Sequence, residues 1–233
     1  MMLLEVRNLS AGYGNKEVVH QVSLNINRAE IVGMIGHNGA GKTSALKAIF
    51  GVLKPNAGEV NYANRNISGQ TPANNVKNGI CFIPQERYVF PDMSVKENLE
   101  LCLREQPRKG EIEKSFENAY ELFPILKNRT EQRAESLSGG ERRMLGLGMA
   151  LMMRPSLLML DEPSLGLSPV IVKQLGGIIE GIASSGVGIL LVEQNVKQAL
   201  RLSSRVYVMK SGRIVLEESG KKLLEGGKWW ALF

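Results

Sequence analysis

Residues 36–43 combine glycines, a lysine and a threonine at a spacing that suits polyphosphate binding. They read Gly-His-Asn-Gly-Ala-Gly-Lys-Thr, which fits glycine, any four residues, then Gly-Lys-Thr. Glycines allow a sharp turn that directs several backbone N–H groups at an anion. In such a loop Lys42 reaches the β- and γ-phosphates and the Thr43 hydroxyl holds Mg²⁺. The pattern predicts a nucleotide site lined by Gly36, His37, Asn38, Gly39, Ala40, Gly41, Lys42, Thr43 and Ser44.

Two adjacent acids, Asp161 and Glu162, follow the apolar run 157–160. Carboxylates at the end of a buried strand are costly unless they have a role. In a phosphate-loop protein the first acid usually orders Mg²⁺ and its waters. The second is placed to polarise a water for attack on the γ-phosphate. The alternative interpretation is a pair of solvated loop acids.

A third turn, residues 137–141, reads Leu-Ser-Gly-Gly-Glu and precedes a helical pattern that runs to about residue 153. Ser138 is a suitable helix cap, and the turn offers free N–H groups to an anion. By itself this pattern predicts only a good helix start.

The surrounding pattern predicts an α/β core in which buried strands alternate with helices, giving a mostly parallel sheet. The predicted strands of this core cover 31–35, 79–84, 157–160 and 187–192, and its helices 44–50, 169–183 and 196–203. Further strands are predicted at 3–9, 18–27, 58–62, 206–209 and 212–215, with a turn at 11–14 and a short final helix.

The central block differs from these strand-rich flanks. Residues 94–104 are predicted to be helical, because Ser94 and Glu97 form a capping box. A second helix is predicted over 111–123 and is ended by Pro124. We interpret 87–152 as a mostly helical insert.

Composition places few further limits on function. The chain has 233 residues, 43% of them apolar and 22% charged, and no apolar run long enough to cross a membrane. Its first residues lack the order of a secretory signal, so we expect a cytoplasmic protein. Cys81 and Cys102 have no metal or redox spacing and are expected to be reduced. The net charge of +6 suits polyphosphates, an anionic membrane surface or nucleic acid equally.

Four motifs in order resemble those of the ATP-binding cassette (ABC) ATPase family, over essentially the whole chain. They are residues 36–43, Gln85 after a strand, residues 137–141, and the strand ending in Asp161 and Glu162. The resemblance implies a P-loop NTPase core with a mostly parallel sheet, an N-terminal antiparallel β subdomain and an inserted α-helical subdomain. Residues 1–233 then form a single domain, with the core and β part at 1–86 and 153–233 and the helical part at 87–152.

The resemblance also implies roles for individual residues toward ATP and Mg²⁺. Tyr13 matches the aromatic that stacks on adenine, although from its pattern alone it is equally a packing residue on the sheet. Gln85 matches the glutamine that approaches Mg²⁺ and couples the ATPase to a membrane partner. Asp161 matches the Mg²⁺-ordering acid, and Glu162 the catalytic base that acts with Lys42.

In this family two subunits enclose two ATP molecules. Ser138, Gly139 and Gly140 would therefore contact the nucleotide bound by the other subunit. Two positions depart from the usual family pattern: Gln194 stands where a histidine is usual, and Ser168 where an aspartate is usual. Glutamine still donates a hydrogen bond to a phosphate oxygen, but it carries neither a proton nor a positive charge.

Both departures resemble the branch that serves branched-chain amino acid importers, and urea-type importers share that branch. The implied function is the ATP-hydrolysing subunit of an importer, peripheral on the inner face of the cell membrane. Its implied partners are integral membrane permeases, a second ATPase that is a paralogue or an identical copy, and indirectly a solute-binding protein. The alternative is a cytosolic ABC protein acting on nucleic acid or ribosomes, but such relatives usually carry two cassettes or a long coiled insert. No nucleic-acid partner is expected.

Three further features of the sequence bear on function. The guanine-specifying pattern Asn-Lys-any-Asp is absent at 195–198, which disfavours a GTPase. Trp229 and Trp230 are predicted to cover the apolar face of the last helix, with partner or membrane contact as the alternative. Arg87, Tyr88 and Phe90 follow Gln85, near where permeases dock in the family, although Phe90 is equally interpreted as a structural residue.

Overall fold

The computed structural model describes residues 1–86, 88–103 and 109–227, and these ranges contain ten β-strands. The strands are β1 (Met2–Tyr13), β2 (Lys16–Asn27), β3 (Ile31–Ile35), β4 (Pro55–Tyr62), β5 (Arg65–Asn66), β6 (Ile80–Ile83), β7 (Leu157–Asp161), β8 (Gly188–Glu193), β9 (Arg205–Lys210) and β10 (Arg213–Ser219). They form two sheets of different kinds.

The larger sheet has six strands in the order β10-β9-β3-β8-β7-β6. Strands β9, β3, β8, β7 and β6 run parallel, and only the edge strand β10 is antiparallel to its neighbour. Strands β3, β7 and β8 are buried along their whole length, which explains their continuous apolar sequences. The smaller sheet is antiparallel, in the order β2-β1-β4-β5. The predicted α/β class with an N-terminal antiparallel sheet is confirmed.

Nine α-helices surround the sheets within the described residues. They are α1 (Lys42–Phe50), α2 (Pro72–Lys77), α3 (Val95–Glu100), α4 (Lys109–Leu122), α5 (Pro124–Asn128), α6 (Gly139–Met152), α7 (Pro169–Ser184), α8 (Val196–Leu202) and α9 (Gly220–Gly226). None of them is both long enough and apolar enough to span a lipid bilayer.

The core lies on both faces of the larger sheet because successive residues of β7 and β8 point to opposite sides. Met159 and Leu190 pack toward the smaller sheet and α1. Leu158 and Ile189 pack toward helices α3 to α7. The parallel strands are thereby packed on both faces, with their carboxyl ends at one edge.

Several local predictions are wrong at element boundaries. The turn predicted at 11–14 is the end of β1, which continues to Tyr13. The helix predicted over 94–104 ends at Glu100; the predicted end, Arg104, lies outside the described residues. Two short helices with proline in their first turn, α2 and α5, were not predicted. The subdomain boundaries at 87 and 152 stay a prediction.

Candidate active site

Three loops meet at the carboxyl edge of the parallel strands. Ile35 pairs with Glu193, and Asp161 pairs with Val192, so β3, β8 and β7 end at one level. The loops that follow them enclose a cleft of about 430 Å³. Its lining comprises Val18, Asn38, Gly39, Ala40, Gly41, Lys42, Thr43, Ser44, Gln85, Glu162, Leu165 and Gln194. The sequence prediction did not include Val18 and Leu165.

The phosphate loop turns at two glycines in left-handed conformations. The φ angle of Gly39 is +78° and that of Gly41 is +104°, values that a side chain makes unfavourable. Gly41 is the N-cap of α1 and has no side chain that could compete for the first-turn N–H groups. The predicted combination of a glycine loop and a helix N-terminus, which suits an anion, is present.

Lys42 lies inside the loop and not on its surface. Its side chain is only 4% exposed, and its Nζ donates hydrogen bonds to the carbonyl oxygens of Gly36 at 2.8 Å and His37 at 3.2 Å. The same nitrogen lies 3.7 Å from Oε1 of Glu162. Lys42 therefore joins the phosphate loop directly to the acid that follows β7.

Asp161 has one carboxylate oxygen engaged and one free. The Thr43 hydroxyl donates to Oδ1 at 3.1 Å, whereas Oδ2 is buried without a hydrogen-bond partner among the described residues. Burial raises the pKa of Asp161, a shift that the bond from Thr43 only partly opposes. A buried, half-satisfied carboxylate beside a hydroxyl is a suitable donor set for a divalent cation.

Asp161 and Thr43 suit an Mg²⁺ ion that is bound together with a nucleotide better than a metal ion whose ligands all come from the protein. No cluster of three His, Cys, Asp or Glu side chains that would hold a metal occurs in the described ranges. Mg²⁺ at nucleotide sites usually uses one or two protein ligands plus phosphates and waters. Asp161 and Thr43 fit that requirement, and Gln85 lies in the same cleft.

Glu162 is held in an unusual backbone conformation at the end of β7. Its φ is +49°, and its N–H donates to the carbonyl oxygen of Val192 on β8 at 2.9 Å. The carboxylate is nearly buried, and Nε2 of Gln85 donates to its Oε2 at 3.3 Å. With Lys42 beside Oε1, Glu162 has a polar neighbour on each oxygen and is not a solvated loop acid.

Two other predicted residues lie at the rim of the cleft. Gln194 is exposed and forms part of the lining. Tyr13 is 51% exposed as a residue, and its hydroxyl lies 3.5 Å from that of Ser44. An exposed aromatic ring is thus placed beside the phosphate loop, where the heterocyclic base of a nucleotide can stack on it.

The turn at 137–141 is not part of this cleft. Ser138 caps α6 in the predicted manner, accepting the Glu141 N–H at 3.3 Å while its own N–H donates to Glu141 Oε2 at 2.8 Å. Ser138 and Gly139 are exposed and Gly140 is partly exposed, and none of the three lines the cleft. Within one chain the two predicted anion-binding turns therefore remain separate.

Two buried residues near the site received no role from the sequence. Glu193, the last residue of β8, accepts hydrogen bonds from the backbone and the hydroxyl of Ser164. Arg143 on α6 donates to the carbonyl oxygens of Pro84 and Gln85 and lies over the ring of Tyr88. The available signal for Glu193 was an acid at the end of an apolar strand, the same signal that identified Asp161. Arg87, Trp229 and Trp230 lie outside the described residues.

Comparison with known proteins gives concordant matches. The family model described as ABC transporter matches residues 19–165. The chain is 41% identical over 226 residues to BraG, the high-affinity branched-chain amino acid transport ATP-binding protein of Pseudomonas aeruginosa, covering 97% of each chain. It is 34% identical to LptB, the lipopolysaccharide export system ATP-binding protein of Escherichia coli, covering 97% of this chain and 94% of that one. A solved ATP-binding cassette of an ABC transporter in its ADP conformation superposes with a TM-score of 0.87 at 27% identity, over 100% of this chain and 98% of that one.

Proposed function

The chain belongs to the ABC transporter family, and from that premise we propose that it is the ATPase subunit of an importer for branched-chain or other hydrophobic amino acids. Its general activity, ATP hydrolysis coupled to transport, follows from family membership. The observation that supports the residue roles best is that Lys42, Thr43 and Glu162 line one cleft, with Asp161 directly behind it, hydrogen-bonded to Thr43. These groups have the charges and positions that triphosphate hydrolysis requires.

In the proposed binding step, the phosphate loop and Lys42 hold the triphosphate. The first-turn N–H groups of α1 and the Lys42 ammonium supply positive charge at one end of the cleft. Asp161 and Thr43 would hold Mg²⁺, with Gln85 nearby; bound there, the ion neutralises phosphate charge. The exposed ring of Tyr13 stacks on the adenine.

In the proposed hydrolytic step, Glu162 accepts a proton from a water as the water oxygen forms a bond to the γ-phosphorus. The bond from that phosphorus to the bridging oxygen breaks, and ADP and phosphate are the products. Lys42 and Gln85 orient the Glu162 carboxylate. Gln194 donates a hydrogen bond from the rim to a phosphate oxygen.

The active unit is proposed to contain two ATPase chains. Ser138, Gly139 and Gly140 lie outside this chain's own cleft and are accessible. They would contact the triphosphate bound by a second chain, which is a paralogue or an identical copy. Closure of the pair on ATP then drives integral membrane permeases at the inner face of the membrane.

Amino-acid import is favoured over other transported solutes by one observation. The chain is 41% identical to BraG, whose name states branched-chain amino acid transport, and 34% identical to LptB. The second relative makes lipopolysaccharide export the competing function.

A reconstituted complex separates these functions. The chain is purified with the permeases that accompany it, placed in lipid vesicles, and assayed for Mg·ATP hydrolysis with leucine and a solute-binding protein, with urea, or with lipopolysaccharide. We expect leucine to stimulate hydrolysis and to accumulate in the vesicles. Stimulation by lipopolysaccharide alone would replace the proposed substrate, and absence of any Mg·ATP hydrolysis would overturn the ATPase assignment.

A further inference from the structure

Glu193 is a buried acid that the proposed hydrolytic step does not use. It is the last residue of β8, its residue exposure is 2%, and it is not among the residues lining the cleft. Burying a carboxylate is unfavourable, and burial raises the pKa of Glu193. The fold therefore retains an unfavourable group at a position next to Gln194.

The Glu193 carboxylate makes a paired contact with one residue of the neighbouring loop. Oε1 accepts the Ser164 backbone N–H at 3.0 Å, and Oε2 accepts the Ser164 hydroxyl at 2.8 Å. The Asn195 backbone, like Ser164, lowers the pKa of this carboxylate, in opposition to burial. A carboxylate can accept from both Ser164 donors at once, whereas a glutamine amide offers one accepting oxygen and a donor group in place of the other.

Ser164 lies two residues after Glu162, in the segment that turns away from β7. Glu162 has a φ of +49°, a conformation that a non-glycine residue keeps only when its surroundings impose it. The Glu162 N–H is bound to Val192 O, and the two Glu193 bonds hold the next turn. The end of β8 thus fixes the backbone on both sides of Pro163.

We propose that Glu193 is a positioning residue that acts through Ser164 to keep Glu162 aimed into the cleft. This inference rests on the role of Glu162 as catalytic base. Leu165 belongs to the same turn and lines the cleft, so loss of the Glu193 contact would disturb that wall as well. A small displacement of a base is enough to slow the reaction while the phosphate loop still binds nucleotide.

The test compares Glu193→Gln, Ser164→Ala and the double variant in the reconstituted complex. We expect each single change to lower kcat about tenfold or more, while KM and the affinity for a fluorescent ATP analogue stay within about twofold. Because both changes interrupt one contact, the double variant should be no slower than the slower single variant. Ser164→Thr keeps the hydroxyl, so its kcat should stay close to that of the parent and well above that of Ser164→Ala.

A matched control uses another hydrogen-bonded acid far from the cleft. Glu30→Gln should lower the melting temperature without changing kcat. If Glu193→Gln and Ser164→Ala lower only the melting temperature, or if their effects on kcat multiply, the inference is overturned. If Glu193→Gln does not fold, the ratio of kcat between Ser164→Ala and Ser164→Thr decides: equal values overturn the inference. Full hydrolysis by Glu162→Gln would instead overturn the proposed base, which is a separate result.

Discussion

The two ends of the parallel strands in the six-stranded sheet both carry acids shielded from solvent, but only at the amino edge is the acid paired with an arginine. At the amino edge, Glu30 immediately precedes β3 and accepts from Arg205 Nε at 2.7 Å and from the Asn27 N–H at 2.7 Å. Arg205 also contacts Glu217 at 2.7 Å. At the carboxyl edge, Asp161 has a buried oxygen without a partner among the described residues.

The pKa directions express this difference. Burial alone would raise the pKa of Glu30, but the hydrogen bonds from Arg205 and Asn27 outweigh it and the pKa is lowered. Burial raises the pKa of Asp161 and of Glu193, and their hydrogen bonds do not compensate. The paired Glu30 stabilises the fold, whereas burial disfavours the charged forms of Asp161 and Glu193. At Asp161 this state suits a cation.

The largest expected effect at the carboxyl edge is that of Glu162→Gln. Glutamine retains the shape of the side chain but accepts no proton at neutral pH, so hydrolysis should fall by about a hundredfold to ten-thousandfold. Binding of ATP should persist, and the variant should accumulate an ATP-dependent dimer detectable by light scattering. Phosphate release under saturating Mg·ATP measures the loss, with Glu180→Gln, an exposed acid on α7, as the matched control. Retained turnover would remove Glu162 from the reaction.

Lys42→Ala should affect binding rather than only the chemical step. The substitution removes the buried ammonium that faces the phosphate loop, and charge-assisted hydrogen bonds contribute about 1.5–3 kcal/mol. We expect affinity for a fluorescent ATP analogue to fall about tenfold to a hundredfold. Lys77→Ala, which removes an exposed lysine in the last turn of α2, should leave affinity unchanged. Equal affinities for the two variants would contradict the position assigned to Lys42.

Sequence patterns predicted the carboxyl edge better than the amino edge, for a physical reason. The phosphate loop and the pair Asp161 and Glu162 are local motifs, because strand, turn and acid follow one another in the chain. The Arg205 contacts with Glu30 and Asn25 span 175 and 180 residues and depend on how β9 lies beside β3 and near β2. No local pattern contains that information.

Contacts between residues far apart in the chain were also missed inside the site. The bond between Glu193 and Ser164 depends on β7 and β8 being neighbours in the sheet, which their sequences do not specify. The sequence left Tyr13 open between stacking on adenine and packing on the sheet, and it did not predict that β1 extends up to that residue. The contact of the 137–141 turn with a second chain stays a prediction, because one chain contains only half of the proposed arrangement.

Asp161→Asn tests whether the buried charge of Asp161 at the carboxyl edge lowers the free energy of unfolding. In protein without Mg²⁺ or nucleotide, removing the buried charge of this half-satisfied carboxylate should stabilise the fold by about 1 kcal/mol, or roughly 2–4 °C in melting temperature. Because the folded pKa of Asp161 is raised, its contribution to stability is greatest below its unfolded pKa and is lost as pH rises through the folded pKa. The variant should therefore gain most at neutral pH, and Mg²⁺ with nucleotide should stabilise it less than the parent. If Asp161→Asn is less stable than the parent at neutral pH without Mg²⁺, the proposed difference between Asp161 and Glu30 is wrong.

Glu30→Gln tests the amino edge and should act in the opposite direction. It weakens the hydrogen bonds from Arg205 and Asn27, and we expect a loss of about 1 kcal/mol at neutral pH after allowing for solvent that reaches the pair. The folded pKa of Glu30 is lowered, so its stabilisation is present above the unfolded pKa and disappears as pH falls through the folded pKa. Melting temperatures of parent and variant should thus differ near pH 7 and converge below about pH 4, the usual range of a glutamate. A difference that persists in acid would mean that packing, not charge, holds this edge together.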